Sequence, residues 1–173
     1  MPVEKKARGK KKQKKKKNDP RKLEILDACF ALGDACNAVS DWDDAIRYCE
    51  RARAGYEEQQ GRDSEKTLDV TNILIFARTC QGERIEKCRD LLKRCERALG
   101  EENVVTLKTL NKLGCELAEK EEHEEAREVH ERCLAGRMKV LGEDHKDTCA
   151  TLNNLGLVYN DGLKNHEKAL ECL

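Results

Sequence analysis

The stretch Val140-Leu-Gly-Glu-Asp-His-Lys-Asp-Thr-Cys-Ala-Thr-Leu-Asn-Asn-Leu-Gly156 carries its anchors in a fixed order: Gly142, then Thr148 six residues on, then Asn153-Asn-Leu-Gly156. The same order occurs twice upstream. Gly100 and Thr106 lead into Asn111-Lys-Leu-Gly114, and Gly61 and Thr67 lead into Asn72-Ile-Leu-Ile75. Phe30-Ala-Leu-Gly33 is a fourth copy of the last anchor. A small residue follows each by 12 or 13 positions: Ala45, Cys88, Ala126 and Ala169. Thr106 and Thr148 are 42 residues apart. Self-similarity at this period means stacked supersecondary units rather than one closed core.

Each unit reads as two helices. The threonine is a plausible N-cap for the first, and in the third unit Leu107, Leu110, Leu113, Gly114 and Leu117 make one apolar face at helical spacing. The second helix is expected from about Glu124 to Leu141, with Gly142 as its stop. Ala126, being small, lets the pair approach closely. The predicted units are approximately 23–63, 64–102, 103–144 and 145–173, the last incomplete. The second unit departs most. Ile75 stands for the glycine, Cys88 for the alanine, and Gly100 follows Cys88 by 12 residues where Gly142 follows Ala126 by 16, which predicts a short second helix. The second helix of the fourth unit runs out at Leu173, leaving Ala169, Leu170 and Cys172 on an apolar end, so a longer natural chain is expected.

Composition divides the chain in two. Residues 1–22 hold twelve Lys or Arg, among them Lys10, Lys11, Lys12, Lys14, Lys15, Lys16 and Lys17, against Glu4 and Asp19. The whole chain has 34 basic and 34 acidic residues, so residues 23–173 carry a net −10 that the tail cancels. The tail has almost nothing apolar to offset its ordering entropy and is expected to be disordered. It reads as an import signal, a nucleic-acid arm, a tether to acidic surfaces, or a solubilising segment. Without aromatics it is unsuited to base-specific RNA reading. No run of 18 apolar residues occurs, and no apolar segment follows the charges as in a secretory signal.

The pattern Leu155-Gly156-Leu-Val-Tyr159 with Ala169 resembles the tetratricopeptide repeat. The linker Val140 to His145 with Asp147-Thr148 and Thr151 to Gly156 is similar to the 42-residue repeats of kinesin light chains and related adaptors. This resemblance implies an all-α, right-handed superhelical solenoid of antiparallel helix pairs. It also implies a protein or peptide partner held in a concave groove lined by the first helices. Kinesin heavy chain or its cargo is implied as partner by the same resemblance. The heptad coiled coil that joins light chains to heavy chains is not present in these residues.

Ten cysteines include no Cys-x-x-Cys pair. Cys95 and Cys133 share one repeat position, Cys36 matches Leu117 and Tyr159, and Cys29 matches Leu110 and Leu152, so they read as core residues. His123 and His166 are equivalent positions in separate units, too far apart to share one zinc ion. Acid pairs such as Glu121-Glu122 read as solvated helix starts. No phosphate loop and no nucleophile beside a base is present, so neither enzyme nor cofactor is expected.

The binding candidates lie on the first helices. Asn72, Asn111 and Asn153 share one repeat position, and Lys112 and Asn154 follow it by one. Lys108, Lys112 and Cys115 share a helix face turned away from Leu110, Leu113 and Leu117. An asparagine ladder there would hydrogen-bond the backbone of an extended peptide; equally, asparagine is a common polar residue at exposed helix positions. The chain is therefore read as a peptide-binding scaffold or adaptor working in the cytoplasm, with association to the cytoskeleton. The alternative is a nuclear or nucleic-acid-associated protein acting through the tail.

Overall fold

A computed structural model of the chain describes residues 19–38, 41–78 and 81–172. The lysine run from Lys10 to Lys17, and with it every reading of the tail, lies outside the described residues. Eight α-helices follow one another: α1 Pro20–Ala38, α2 Trp42–Gln60, α3 Glu65–Arg78, α4 Gln81–Leu99, α5 Val104–Glu119, α6 His123–Leu141, α7 Lys146–Leu157 and α8 His166–Glu171. Among the described residues there is no strand, and no helix is long and apolar enough to cross a membrane. Each helix packs on the next, and the first helices also touch one another, α1 on α3 and α3 on α5. This is the two-layer, all-α solenoid that the 42-residue period implies.

The threonines act differently from the expectation. Thr67, Thr106 and Thr148 lie inside their helices rather than ahead of them. Each hydroxyl donates backwards, to the carbonyl of Gly61, Gly100 or Gly142, at 2.8–2.9 Å. The threonine thus ties the start of each first helix to the end of the preceding second helix, and satisfies a carbonyl left orphaned there. The glycines have φ of +99°, +89° and +90°, a conformation that side chains with a Cβ rarely adopt. N-capping falls three residues earlier. The Asn103 carboxamide accepts from the Val105 amide at 2.8 Å, and His145 Nδ1 accepts from the Asp147 amide at 3.1 Å. Ser64 accepts from the Thr67 amide at 3.3 Å.

The second helix of the second unit is not short. α2, α4 and α6 each have 19 residues. α4 starts seven residues before Cys88, whereas α2 and α6 start three before Ala45 and Ala126. A turn lost at its C-terminus is therefore matched by a turn gained at its N-terminus.

The fourth unit holds one residue more between Gly156 and Ala169 than the third holds between Gly114 and Ala126. The connecting turns are the same, with Glu121 and Lys164 both left-handed at φ 63° and 54°. The extra residue is taken up by a π-helical turn, Val158–Gly162, continuing α7.

Two glycines set the spacing within pairs. A methyl group at Gly114 would lie 2.6 Å from the His130 ring, so α5 and α6 meet with no room for a side chain. Gly33 brings α1 equally close to Cys49 of α2. The core runs through the stack as Leu68, Leu91, Leu107, Leu110, Leu113 and Leu117, with Leu26, Tyr56, Ile73 and Leu74 at the N-terminal end. Cys29, Cys49, Cys88, Cys95 and Cys133 are buried in it as free thiols. Burial pushes the Cys49 and Cys88 thiols up to about 11, which leaves them unreactive as nucleophiles at neutral pH.

Candidate functional site

The asparagine position does not form a groove-facing ladder. Asn72 is 1% exposed, and its amide donates to Thr109 Oγ1 at 3.0 Å. Asn111 is half-buried, and its Oδ1 accepts from Thr151 Oγ1 at 3.4 Å. Both side chains point sideways at the next first helix, and Thr109 and Thr151 occupy one repeat position. The expected peptide contact of Asn72 is corrected: it staples α3 to α5 and is closed to a ligand. Asn153, at the same repeat position, has no first helix after it among the described residues. It is exposed instead, in a hollow of about 380 Å³ with Leu152, Gly156 and Leu170.

The remaining candidates gather on the inner face of α5 and α7. Asn154 Nδ2 donates to Asn111 Oδ1 at 3.3 Å and to Cys115 Sγ at 3.4 Å. Lys112 Nζ sits 4.3 Å from the centroid of the Phe76 ring, a cation–π contact from α5 back to α3. Burial holds Lys112 below the ordinary lysine value, against the pull of negative groups including Asp69 and Asp34. It makes no ion pair among the described residues. Lys108, one turn before, is paired with Asp69 at 3.3 Å. The structure thus brings Asn111, Cys115 and Asn154 together, turns Lys112 back to Phe76, ties Lys108 to a carboxylate, and sets Asn72 and Asn153 apart from them.

Beside this group the face opens into a hollow of about 310 Å³ between α5, α6 and the π turn, lined by Cys115, Glu119, His123, His130, Asn154 and Asp161 among others. His130 is fully buried, and neither ring nitrogen has a partner among the described residues. Sequence comparison hides it, because the equivalent positions hold Cys49 and Leu92 and read as plain core. The signal was Gly114, which is what admits the ring. The Cys115 thiol is pushed up to about 11 by burial, so it lines the hollow as a neutral thiol at neutral pH.

Burial, reinforced by the Arg137 charge, lowers the His130 pKa from 6.5 to about 4. The folded protein therefore resists a proton that the unfolded chain takes up, and stability falls as pH drops from about 6.5 towards 4. Between about pH 7.5 and 5 this one group should cost about 2 kcal/mol. His130→Leu, which copies Leu92, should remove that component. Urea unfolding of both proteins at the two pH values checks it: equal acid sensitivity would contradict a suppressed imidazole.

Among the described residues one trio of potential metal ligands lies within 4.8 Å: Cys36, Asp41 and Asp44. Its carboxylates are engaged, Asp41 in capping α2 and Asp44 with Arg47 at 3.1 Å.

Two family models, both described as tetratricopeptide repeat, match residues 28–63 and 117–173, together more than half of the chain. No curated protein matches. Among solved structures the chain is similar to BtubC (BKLC) from P. vanneervenii, at 24% identity and a TM-score of 0.68 over 91% of this chain and 63% of that one. It is also similar to a Podosopora anserina protein described as a kinesin light chain of nearly identical tetratricopeptide-like repeats, at 18% identity and a TM-score of 0.70. There it covers 89% of this chain and 74% of the other. The chain thus spans less than two thirds of BtubC. It belongs to the tetratricopeptide-repeat family. That class of fold is a protein-interaction scaffold.

Proposed function

We propose that the chain is an adaptor that holds an extended segment of a partner protein along the inner face of α5 and α7. The observation that carries this reading is Lys112, a half-buried ammonium with no carboxylate partner among the described residues, next in sequence to Asn111, whose side chain meets the Asn154 amide at the edge of an open hollow. A charge held at that depth costs desolvation that a bound carboxylate or carbonyl would offset. Asn154 Oδ1 offers an acceptor to a peptide N–H, its amide being held by Asn111 and Cys115. The hollow beside them accepts one side chain of the segment. Likeness to light-chain repeats supports a cargo-adaptor role in the cytoplasm, beside the cytoskeleton.

The test is selection of peptides from a random displayed library on the whole chain, then titration against wild type and Lys112→Ala/Asn154→Ala. Each lost hydrogen bond is worth about 0.5–1.5 kcal/mol, so the pair should weaken binding about 5- to 150-fold. Unchanged affinity at an unchanged melting temperature would remove both residues from the mechanism.

A further inference from the structure

The outer face presents grooves between successive second helices, and two of them differ in charge. The groove between α4 and α6 is spanned by ion pairs: Arg89 with Glu125 at 2.7 Å and Arg132 with Glu96 at 2.6 Å. In repeat register, the positions of Arg89 and Glu125 are taken between α2 and α4 by Ile46 and Lys87, and those of Glu96 and Arg132 by Arg53 and Arg94. No acid is supplied at either place. Arg94 turns instead to the loop after α2, binding Asp63 at 2.9 Å and the Arg62 carbonyl at 3.0 Å.

Arg94 thereby joins the wall of a hollow of about 480 Å³ formed by α3, α4 and the loop after α2. Its apolar lining is Ile75, the residue in the glycine slot of the second unit, together with Leu91. Five cations line it against a single carboxylate, Asp90. Two of the five, Arg62 and Arg97, are exposed and form no ion pair among the described residues. The rest of residues 23–173 is net acidic, so the groove is a local inversion of the charge of the body.

We propose that the groove formed by α3, α4 and the loop after α2 docks an acidic segment of a partner protein, its carboxylates on Arg62 and Arg97 and an apolar side chain against Ile75 and Leu91. Charge complementarity selects the acid, and the apolar floor selects a peptide over a nucleic acid, since no aromatic ring lines the groove for base stacking. The site is separate from the inner face of α5 and α7 and does not depend on it.

Fluorescence anisotropy of the whole chain with a short labelled peptide of Glu pairs separated by single Leu tests this. Binding should weaken by about tenfold or more in Arg62→Glu/Arg97→Glu. It should be unchanged in Arg51→Glu/Lys146→Glu, an equal charge change at exposed positions elsewhere. The Gln-for-Glu peptide should not bind, and Lys112→Ala/Asn154→Ala should bind as wild type does. All three protein variants alter surface or groove positions, and melting curves confirm that each is folded. No binding by wild type overturns the proposal, as does an equal loss in the control variant. Tighter binding of an oligodeoxythymidine that displaces the peptide makes the groove a nucleic-acid site and equally overturns it.

Discussion

Gly114→Leu is expected to lower the melting temperature by about 6–12 °C, the shift that about 3 kcal/mol produces in a chain of this size. A Cβ alone would sit 2.6 Å from His130 Nε2, in a ring that is fully buried. Retreat towards the hollow that the ring lines would cost it its packing against α5, and packed interiors transmit strain rather than absorb it. α6 must then move off α5. In the second unit Ile75 fills the same slot, and it lines the hollow formed by α3, α4 and the loop after α2. Gly82→Ala is the matched control. Nothing lies within 4 Å of a Cβ at this exposed position of α4, so alanine should stabilise by up to about 1 kcal/mol. Thermal unfolding followed by circular dichroism separates the two. A Gly114→Leu protein that melts with wild type would mean the helix pair is not set by that contact.

Arg137→Met should cost about 3 kcal/mol and loosen the C-terminal unit first. Arg137 is 5% exposed, and one guanidinium nitrogen donates to both the Asp147 carbonyl and Thr151 Oγ1 at 2.6 Å. Bonds from a charged donor are worth about 1.5–3 kcal/mol each. Methionine keeps most of the apolar stem but no donor. The Thr151 hydroxyl still reaches the Asp147 carbonyl at 3.0 Å, so the loss is partial rather than complete. Amide hydrogen exchange in α7 should accelerate by about a hundredfold while α3 and α5 hold their protection. Acceleration spread evenly over the chain would contradict a clip that acts between α6 and α7.

The solenoid was readable because its constraints are local and repeated. Glycines that need positive φ and threonines six residues on mark every junction, and the small-residue slots fix each pair. The same spacing misleads where helices slide. The early Gly100 implies a short α4 only if the start of the helix is fixed, and α4 starts a turn earlier. A one-residue insertion reads as a longer turn, yet it is absorbed as a π turn after Leu157 because the left-handed turn at Lys164 is kept. The asparagines show the limit of face arithmetic. Helical spacing puts Asn72 and Asn111 away from the core leucines, but a first helix has neighbours on its flanks as well as behind it. Only packing reveals that these side chains point at Thr109 and Thr151. Lys112, Cys115 and Asn154, one position or one turn away, were identifiable from sequence as a set. His130 was not, since its repeat equivalents are a cysteine and a leucine.

The most direct test of a peptide-holding inner face is to map where a selected peptide binds. Amide chemical shifts of the isotopically labelled chain, recorded with and without the peptide, should change at Lys112, Cys115, Asn154 and Asp161. The shifts of Arg89, Glu125 and Arg132 on the outer face should stay in place. Perturbations confined to the outer helices, with Lys112 and Asn154 unmoved, would contradict the account.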